Sequence, residues 1–303
     1  MDFVLTDDQS AVVDAIDRLA QSFNEKPIDF HGFALRGDAL EQALIEGEYF
    51  DIVQIPEYGP TAAALAVSRL AQAPFAVEAA LSMLLRHALP GDDWPRPLAV
   101  VENGRPGRFV AQARTLIIID GECIGLARPT PDMLEAVDSI FAYPMGRLVG
   151  QPQITPLDGA TADTVRQWLR VALAAEASGL LQAALASTVE HVSVRKQFGR
   201  PIGTFQALRH RLAECAVLSG GVRWLALQAA ATGRPGDAAL AASHAQESAT
   251  RVVYDLHQML GAMGMTLEHP LHLWTYRLKA LLSELGGRGG QAQAVAELCF
   301  EAG

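Results

Sequence analysis

The sequence is short of cysteine and contains no long apolar run. Its three cysteines, Cys123, Cys215 and Cys299, are odd in number and far apart, which favours reduced thiols and shows no zinc-binding spacing. The best apolar run, TLIIID, stops at Asp120, well short of the roughly 20 residues that span a bilayer. The acidic N-terminus MDFVLTDDQ lacks the basic start and apolar stretch of a signal peptide. These absences predict a cytoplasmic protein with no membrane partner.

Basic residues are in the minority as well. The chain of 303 residues has 24 Lys and Arg against 34 Asp and Glu, a formal charge of −10. Such a chain has no general attraction to nucleic acid, so we expect no nucleic-acid partner, although a local basic pocket can still hold a phosphate. Half of the residues are hydrophobic, which is ample for a large core.

The residue pattern divides the chain into three regions. Residues 1–92 predict an N-terminal helical domain, with a capping box at Thr6 and Gln9 and further helical runs near 38–47 and 61–88. Residues 93–157 predict a small β domain, because the runs RPLAVVE, GRFVAQA and RTLIIID are short, β-branched and separated by turn residues. Residues 158–303 are helical again.

The C-terminal region predicts an antiparallel four-helix bundle. Its first helix begins near Thr161 and reaches Arg195, a length of about 50 Å. Three more amphipathic segments follow, at about 205–222, 237–263 and 270–282. The glycine-rich run at 286–290 is expected to be a flexible stop before a short tail. The predicted fold class is therefore mainly α with a small β region.

The stretch RKQFGRPIGTFQALRHRLAE, residues 195–214, follows the first bundle helix. Cations suit the negative end of a helix and glycine commonly follows it, so the segment from Arg195 to Gly199 can be a simple helix cap. Arg195 and Lys196 are equally free to reach an anion brought by another chain. A guanidinium fork suits a pyrophosphate, and Phe198 can lie against a ring. The residues alone leave both interpretations open.

The same stretch resembles the signature of the acyl-CoA dehydrogenases, whose equivalent loop crosses a subunit interface to the adenosine diphosphate half of a neighbour's FAD. MDFVLTDDQ resembles the first helix of that family, and QMLGAMGMTLEHPLHLW, residues 258–274, resembles a second segment that approaches the neighbour's flavin. Glycine there permits close backbone approach, although Ala262 replaces a second family glycine. The resemblance implies two groups of FAD-binding residues: Arg195, Gln197 and Phe198, and Gln258, Gly261 and Ala262.

The catalytic base of the family is harder to find in this chain. These enzymes remove a proton from the substrate Cα with a glutamate, which lies at one of two family positions. At the first position the chain has Glu284, without the usual flanking Tyr and Thr, and the glycines after it predict mobility. The second position falls on Leu169, beside Arg170, and leucine cannot act as a base. Residues 96–155 also lack the family's flavin-binding motifs, so the resemblance implies a reduced β domain.

Other residues give weaker signals. His269 and His272 lie close to Glu268, but the spacing is not His-Glu-x-x-His and Pro270 interrupts it, so we expect no metal site. The glutamates on predicted helices are expected to be solvated or ion-paired, and the serines lack a nucleophile-elbow context. These residues are Glu176, Glu190, Glu214 and Glu247, and Ser178, Ser187 and Ser243.

The leading hypothesis from the resemblance is the smaller, non-catalytic subunit of a heteromeric, α2β2-type acyl-CoA dehydrogenase. Its substrate would be an acyl-CoA thioester with a steroid side chain or another bulky acyl group. A larger subunit would supply the base and most of the FAD site, and an electron-transfer flavoprotein or similar acceptor would be a further partner. Two alternatives stay open: a homomeric acyl-CoA dehydrogenase with Glu284 as base, and a helical scaffold protein without flavin.

Overall fold

The structure is a computed structural model that describes residues 5–24, 33, 35–91 and 94–300. The described residues form mostly helices, with a small β region between two helical parts, so the predicted fold class is confirmed. The domain boundaries after residues 92 and 157 stay a prediction.

The N-terminal part contains α1 (Asp7–Asn24), α2 (Asp38–Glu46), α3 (Gly59–Ala71) and α4 (Ala80–Leu84). The capping box is confirmed, because the Thr6 and Gln9 backbone amides each donate to the other's side-chain oxygen at 3.2 Å. Residues 1–4, which begin the first stretch that resembles the family, lie outside the described residues.

The helical run expected at 61–88 is wrong in one respect, because it is broken between α3 and α4. Pro74 has no backbone N–H to continue a helix. Beyond it, the buried Glu78 carboxylate accepts hydrogen bonds from the backbone amides of Ser82 and Leu98, both at 3.1 Å. In the segment after the break, Glu78 therefore connects α4 to the first strand of the β region.

The β region consists of two small sheets. The first has the order β1 (Leu98–Glu102), β3 (Thr115–Asp120), β4 (Cys123–Ala127) and β7 (Ile154–Pro156), with β1 parallel to β3 and the other pairs antiparallel. The second is antiparallel, in the order β2 (Gly107–Arg108), β6 (Met145–Leu148) and β5 (Leu134–Val137). The strand expected in GRFVAQA is mostly wrong, because Phe109 has φ +60° and a 3-10 turn follows at Val110–Gln112.

The C-terminal part is built on α5 (Gly159–Val194), α6 (Gln206–Thr232), α7 (Pro235–Leu260) and α8 (His272–Leu281). Asp158 caps α5 by accepting a hydrogen bond from the Thr161 amide at 3.0 Å. The four predicted bundle helices are present; α6 runs ten residues past position 222, and the other ends differ by at most three residues from the expected ones.

The flexible stop expected at 286–290 is wrong, because a further helix, α9 (Gly287–Phe300), begins there. Its Gln291 is fully buried and accepts a hydrogen bond from Arg170 Nε at 3.0 Å. Gln291 also donates to the Leu285 carbonyl at 2.6 Å, and Ala294 is buried. These contacts pack the tail against the bundle.

Helix α5 lies at the centre of the fold, with contacts to α3, α4, α6, α7 and α8. Among the described residues it is the one helix long and apolar enough to cross a bilayer, although its sequence contains no long uninterrupted apolar run. Its most apolar window is 83% buried inside the protein, as expected for the core helix of a bundle. One continuous core joins the N-terminal helices, the first sheet and the bundle around it.

Candidate functional site

The stretch after α5 forms a tight β-hairpin. Its strands are β8 (Lys196–Gln197) and β9 (Arg200–Pro201), and its two turn residues, Phe198 and Gly199, have φ values of +54° and +79°. Positive φ at both positions is the geometry of a type I′ turn, which normally takes Asn or Gly. Gly199 therefore serves the hairpin turn, and the helix-cap interpretation is wrong for it.

Phe198 has an unfavourable backbone conformation that little packing offsets. Its side chain is 91% exposed, and the left-handed backbone is unfavourable for a bulky residue. Within the described residues, its ring meets Phe205 edge-on at a centroid distance of 6.0 Å. Strain that folding does not require is typical of a functional position.

The hairpin forms one side of an open groove of about 720 Å³. Gln197 and Phe198 contribute from the hairpin, and Gln258 contributes from the end of α7, so three of the six predicted FAD-binding residues meet here. Tyr254 adds a second exposed aromatic ring, at 67% exposure. Amides beside exposed aromatic faces suit a nucleotide, with hydrogen bonds to its polar edge and stacking against its base.

The other three predicted FAD-binding residues do not line this groove, although each lies within four positions of a lining residue in the sequence. Arg195 is the exposed C-cap of α5 and forms no salt bridge with a described residue, so its guanidinium is available to an outside anion. Gly261 ends α7 with φ +61° and ψ −132°, a conformation that requires glycine. Ala262 is exposed in the 3-10 turn that follows.

A second candidate site lies inside the protein, where the β region meets the bundle. Glu284 follows α8, and both of its carboxylate oxygens accept hydrogen bonds from Arg108 of β2: Oε1 from Nε at 2.6 Å and Oε2 from Nη2 at 3.0 Å. The same guanidinium donates from Nη1 to Glu176 Oε2 of α5 at 2.7 Å. Tyr143 Oη donates to the remaining Glu176 oxygen at 2.6 Å. We call Arg108, Glu176, Glu284 and Tyr143 the junction cluster.

The low exposure of the junction cluster strengthens the interactions between its charged groups and shifts their pKa values. The side chains of Arg108, Glu176 and Glu284 are 10%, 8% and 26% exposed. Burial acts to lower the pKa of Arg108, but the carboxylates of Glu176 and Glu284 outweigh it and raise that pKa above its ordinary range. Burial, with the nearby Glu176 carboxylate, raises the pKa of Tyr143, so Tyr143 is a neutral donor. The arginine is thus a permanent cation between two carboxylates.

The Glu284 segment is anchored, contrary to the mobility expected from the glycines that follow. The amides of Leu285 and Gly286 donate to the two oxygens of Glu102 on β1, both at 2.8 Å. Gln246 of α7 donates to the Glu284 carbonyl at 3.0 Å. Backbone and side chain of Glu284 are therefore held from different elements.

Little space remains at the junction cluster. A cavity of about 30 Å³, room for one or two waters, is lined by Arg108, Glu176 and Glu284 and by apolar residues that include Leu169. A second cavity of about 140 Å³ shares Val100, Arg108 and Glu284 with the first. Both sequence positions considered for a base, Leu169 and Glu284, thus face one cavity.

Sequence reasoning missed Arg108 and Tyr143. Glu176 was expected to be solvated or ion-paired, and it is ion-paired; the signal of its burial was one carboxylate within the apolar run ALAAEASGL. Two of the other glutamates are also ion-paired, Glu214 with Arg251 and Glu247 with Arg288. No sequence motif links Arg108 to residues that lie 68 and 176 positions away.

The histidines near α8 form an aromatic cluster. The His191 ring meets His269 edge-on at a centroid distance of 5.4 Å, and His272 Nδ1 lies 3.1 Å from the His269 carbonyl oxygen. Burial, followed by the neighbouring histidines, lowers the pKa of His269 to about 4. Across the described part of the chain, no group of three or more His, Cys, Asp or Glu side chains is arranged to hold a metal ion.

Comparisons with known proteins agree with the geometry. The family "Acyl-CoA dehydrogenase, C-terminal domain" matches residues 161–297. Acyl-CoA dehydrogenase FadE34 of Mycobacterium tuberculosis is 34% identical over 65% of this chain and 28% of its own length. Acyl-CoA dehydrogenase IpdE2 of the same organism is 30% identical over 59% of this chain and 63% of its own length. The chain therefore spans less than two thirds of these curated relatives.

The fold agrees over almost the whole chain. The crystal structure of the ChsE4–ChsE5 complex from Mycobacterium tuberculosis matches with a TM-score of 0.75 and 19% identity, and 98% of each chain is covered. The chain therefore has the acyl-CoA dehydrogenase fold, and its residues 161–297 match the C-terminal domain of that family.

Proposed function

We propose that this chain is the smaller, non-catalytic subunit of a heteromeric FAD-dependent acyl-CoA dehydrogenase. In this assembly a larger subunit holds the FAD and carries the base, and the present chain completes the adenosine diphosphate part of that FAD site. The substrate is an acyl-CoA thioester with a steroid side chain or another bulky acyl group. An electron-transfer flavoprotein or similar acceptor takes the electrons.

The carrying observation is that Glu284 is bound at both carboxylate oxygens by Arg108. A general base needs a free oxygen within hydrogen-bond reach of the proton that it removes. Here Arg108 donates a hydrogen bond to each oxygen, and the adjoining cavities of about 30 and 140 Å³ are too small for a bulky acyl-CoA substrate. The one candidate base of this chain is therefore engaged within its own fold.

The outer groove supports the other half of the proposal. Gln197, Phe198 and Gln258 line open space on the protein surface, and Arg195 stands exposed nearby in the sequence. Bound FAD supplies the hydride acceptor in this family, and these residues fit its adenosine diphosphate end. An aromatic face can stack on the adenine, and a guanidinium can bind a phosphate through two parallel hydrogen bonds. Such residues serve a flavin carried by a neighbour.

The test uses the complex with a co-expressed larger acyl-CoA dehydrogenase. Glu284→Gln in this chain is expected to leave turnover within about threefold, a change of less than roughly 1 kcal/mol in the barrier. Glutamate-to-glutamine substitution of the base in the larger subunit is expected to reduce turnover by several orders of magnitude.

Flavin content and subunit stoichiometry of each variant complex serve as controls. If Glu284→Gln abolishes turnover while FAD stays bound and the assembly stays intact, this chain is catalytic and the proposal is wrong. That result would favour the homomeric alternative, in which Glu284 is the base.

A further inference from the structure

We propose that Arg108 is an internal plug for the junction cavity: its guanidinium takes the place of an outside ligand and keeps Glu284 from acting on one. The plug is a property of this chain alone. Its consequence, that acyl thioesters bind only in the partner, rests on the proposed function.

Arg108 lies between two cavities. The cavities of about 30 and 140 Å³ share Val100, Arg108 and Glu284 as walls. We expect removal of the Arg108 side chain to join them into one cavity, lined by Glu284 and by residues of both spaces, including Leu169 and Phe141. The guanidinium thus fills the space in front of the one candidate base.

The backbone around Arg108 holds the arginine firmly in that place. It lies on β2, where Gly107 pairs with Gly146 of β6. A Cβ at Gly107 would overlap the Val100 carbonyl, and a Cβ at Gly146 would overlap the backbone of Ala111. The close approach that these glycines permit places Arg108 beside Tyr143, whose ring centroid lies 4.9 Å from the guanidinium carbon. The fork is therefore pre-aligned with both carboxylates.

Stability alone does not explain an arginine at this position. A buried ion pair is often no more stabilising than apolar residues of the same volume, because desolvation offsets the attraction. Three ionisable side chains, one of them buried and two partly buried, are thus not needed to stabilise this junction. They are, however, an effective way to exclude a neutral acyl chain, which cannot replace the hydrogen bonds of the guanidinium.

The plug predicts a definite ligand class for the emptied cavity. With Arg108 replaced by alanine, Glu176 and Glu284 would face a space shaped by an arginine side chain. That space should accept a small alkylguanidinium ion, with the same fork-to-carboxylate hydrogen bonds.

The experiment uses n-propylguanidinium with the purified chain. Arg108→Ala is expected to lower the melting temperature, and millimolar n-propylguanidinium is expected to restore part of the loss and to bind with 1:1 stoichiometry by calorimetry. The double variant Arg108→Ala/Glu284→Gln should bind it at least tenfold more weakly. In the wild-type chain and in Arg147→Ala, which breaks an exposed pair with Glu135, n-propylguanidinium should neither raise the melting temperature nor bind.

If Arg108→Ala does not fold, refolding with n-propylguanidinium should recover soluble protein. Binding to the wild type equal to that of the variant would overturn the proposal, because the cavity would already be open. Absence of both binding and recovery would also overturn it, because the cavity would have collapsed. Neither result depends on a partner subunit, so failure here is distinct from failure of the proposed function.

Discussion

Replacement of Phe198 by asparagine separates a structural role of the hairpin from a functional one. Phe198 adopts a left-handed backbone conformation at φ +54° and is 91% exposed. A left-handed conformation costs an ordinary L-residue about 1–2 kcal/mol, and asparagine tolerates it much better. Loss of the edge-on contact with Phe205 costs roughly 0.5 kcal/mol at such an exposed site. Phe198→Asn is therefore expected to stabilise the isolated chain by about 0.5–1 kcal/mol.

The same substitution should weaken the complex. If the Phe198 ring stacks on the neighbour's flavin nucleotide, Phe198→Asn should lower FAD retention while the isolated chain becomes more stable. Urea denaturation of the chain measures the first effect, and flavin released on dialysis of the complex measures the second. Ile140→Asn is the control, since Ile140 is 56% exposed and does not line the groove. A Phe198→Asn chain that is less stable by more than 1 kcal/mol, or a complex that retains its FAD fully, would refute the reasoning.

Three further predictions concern the charged groups. Arg195→Ala should weaken FAD retention by the complex by roughly 1.5–3 kcal/mol, with Arg195→Lys a partial rescue, and unchanged affinity would reduce Arg195 to a helix-end cation. Arg108→Gln should lower the free energy of unfolding by about 3–5 kcal/mol, because the buried Glu176 and the partly buried Glu284 lose their cation, whereas Arg147→Gln should cost less than about 1 kcal/mol. Similar losses of unfolding free energy for the two variants in urea denaturation would contradict the conclusion that burial strengthens the Arg108 ion pairs. Finally, His269 has a folded pKa of about 4, below its ordinary 6.5, so the unfolded chain binds the extra proton. Its contribution to stability should be complete above pH 6.5 and fall as the pH drops toward 4, and His269→Gln should flatten that part of the pH–stability curve.

Local patterns predicted much of the fold because the interactions behind them are local. The capping box at Thr6 and the long α5 follow from hydrogen bonds and apolar spacing within a few residues. Helix α9 was missed because glycines in 287–290 argue against a helix, and its packing depends on Arg170, which lies 121 residues from Gln291. In α9, tertiary contacts with the bundle outweigh the low helix propensity of the glycines.

The two candidate sites also differ in whether local sequence patterns could predict them. The hairpin residues Gln197 and Phe198 lie in one short motif, so a resemblance could find them, and the structure adds that Gln258 meets them in one groove. The junction cluster joins β2, α5 and the segment after α8, and its arginine lies in a stretch with no recognisable motif. Only the three-dimensional fold could show that the Glu284 carboxylate already accepts two hydrogen bonds from Arg108.

The flavin content of the chain, purified alone and together with a larger acyl-CoA dehydrogenase, tests the central claim most directly. The account predicts a colourless chain on its own and a yellow complex that contains both subunits, with flavin absorbance lost when the complex is separated. A chain that is yellow and active by itself would contradict the account, as would a stable complex without flavin.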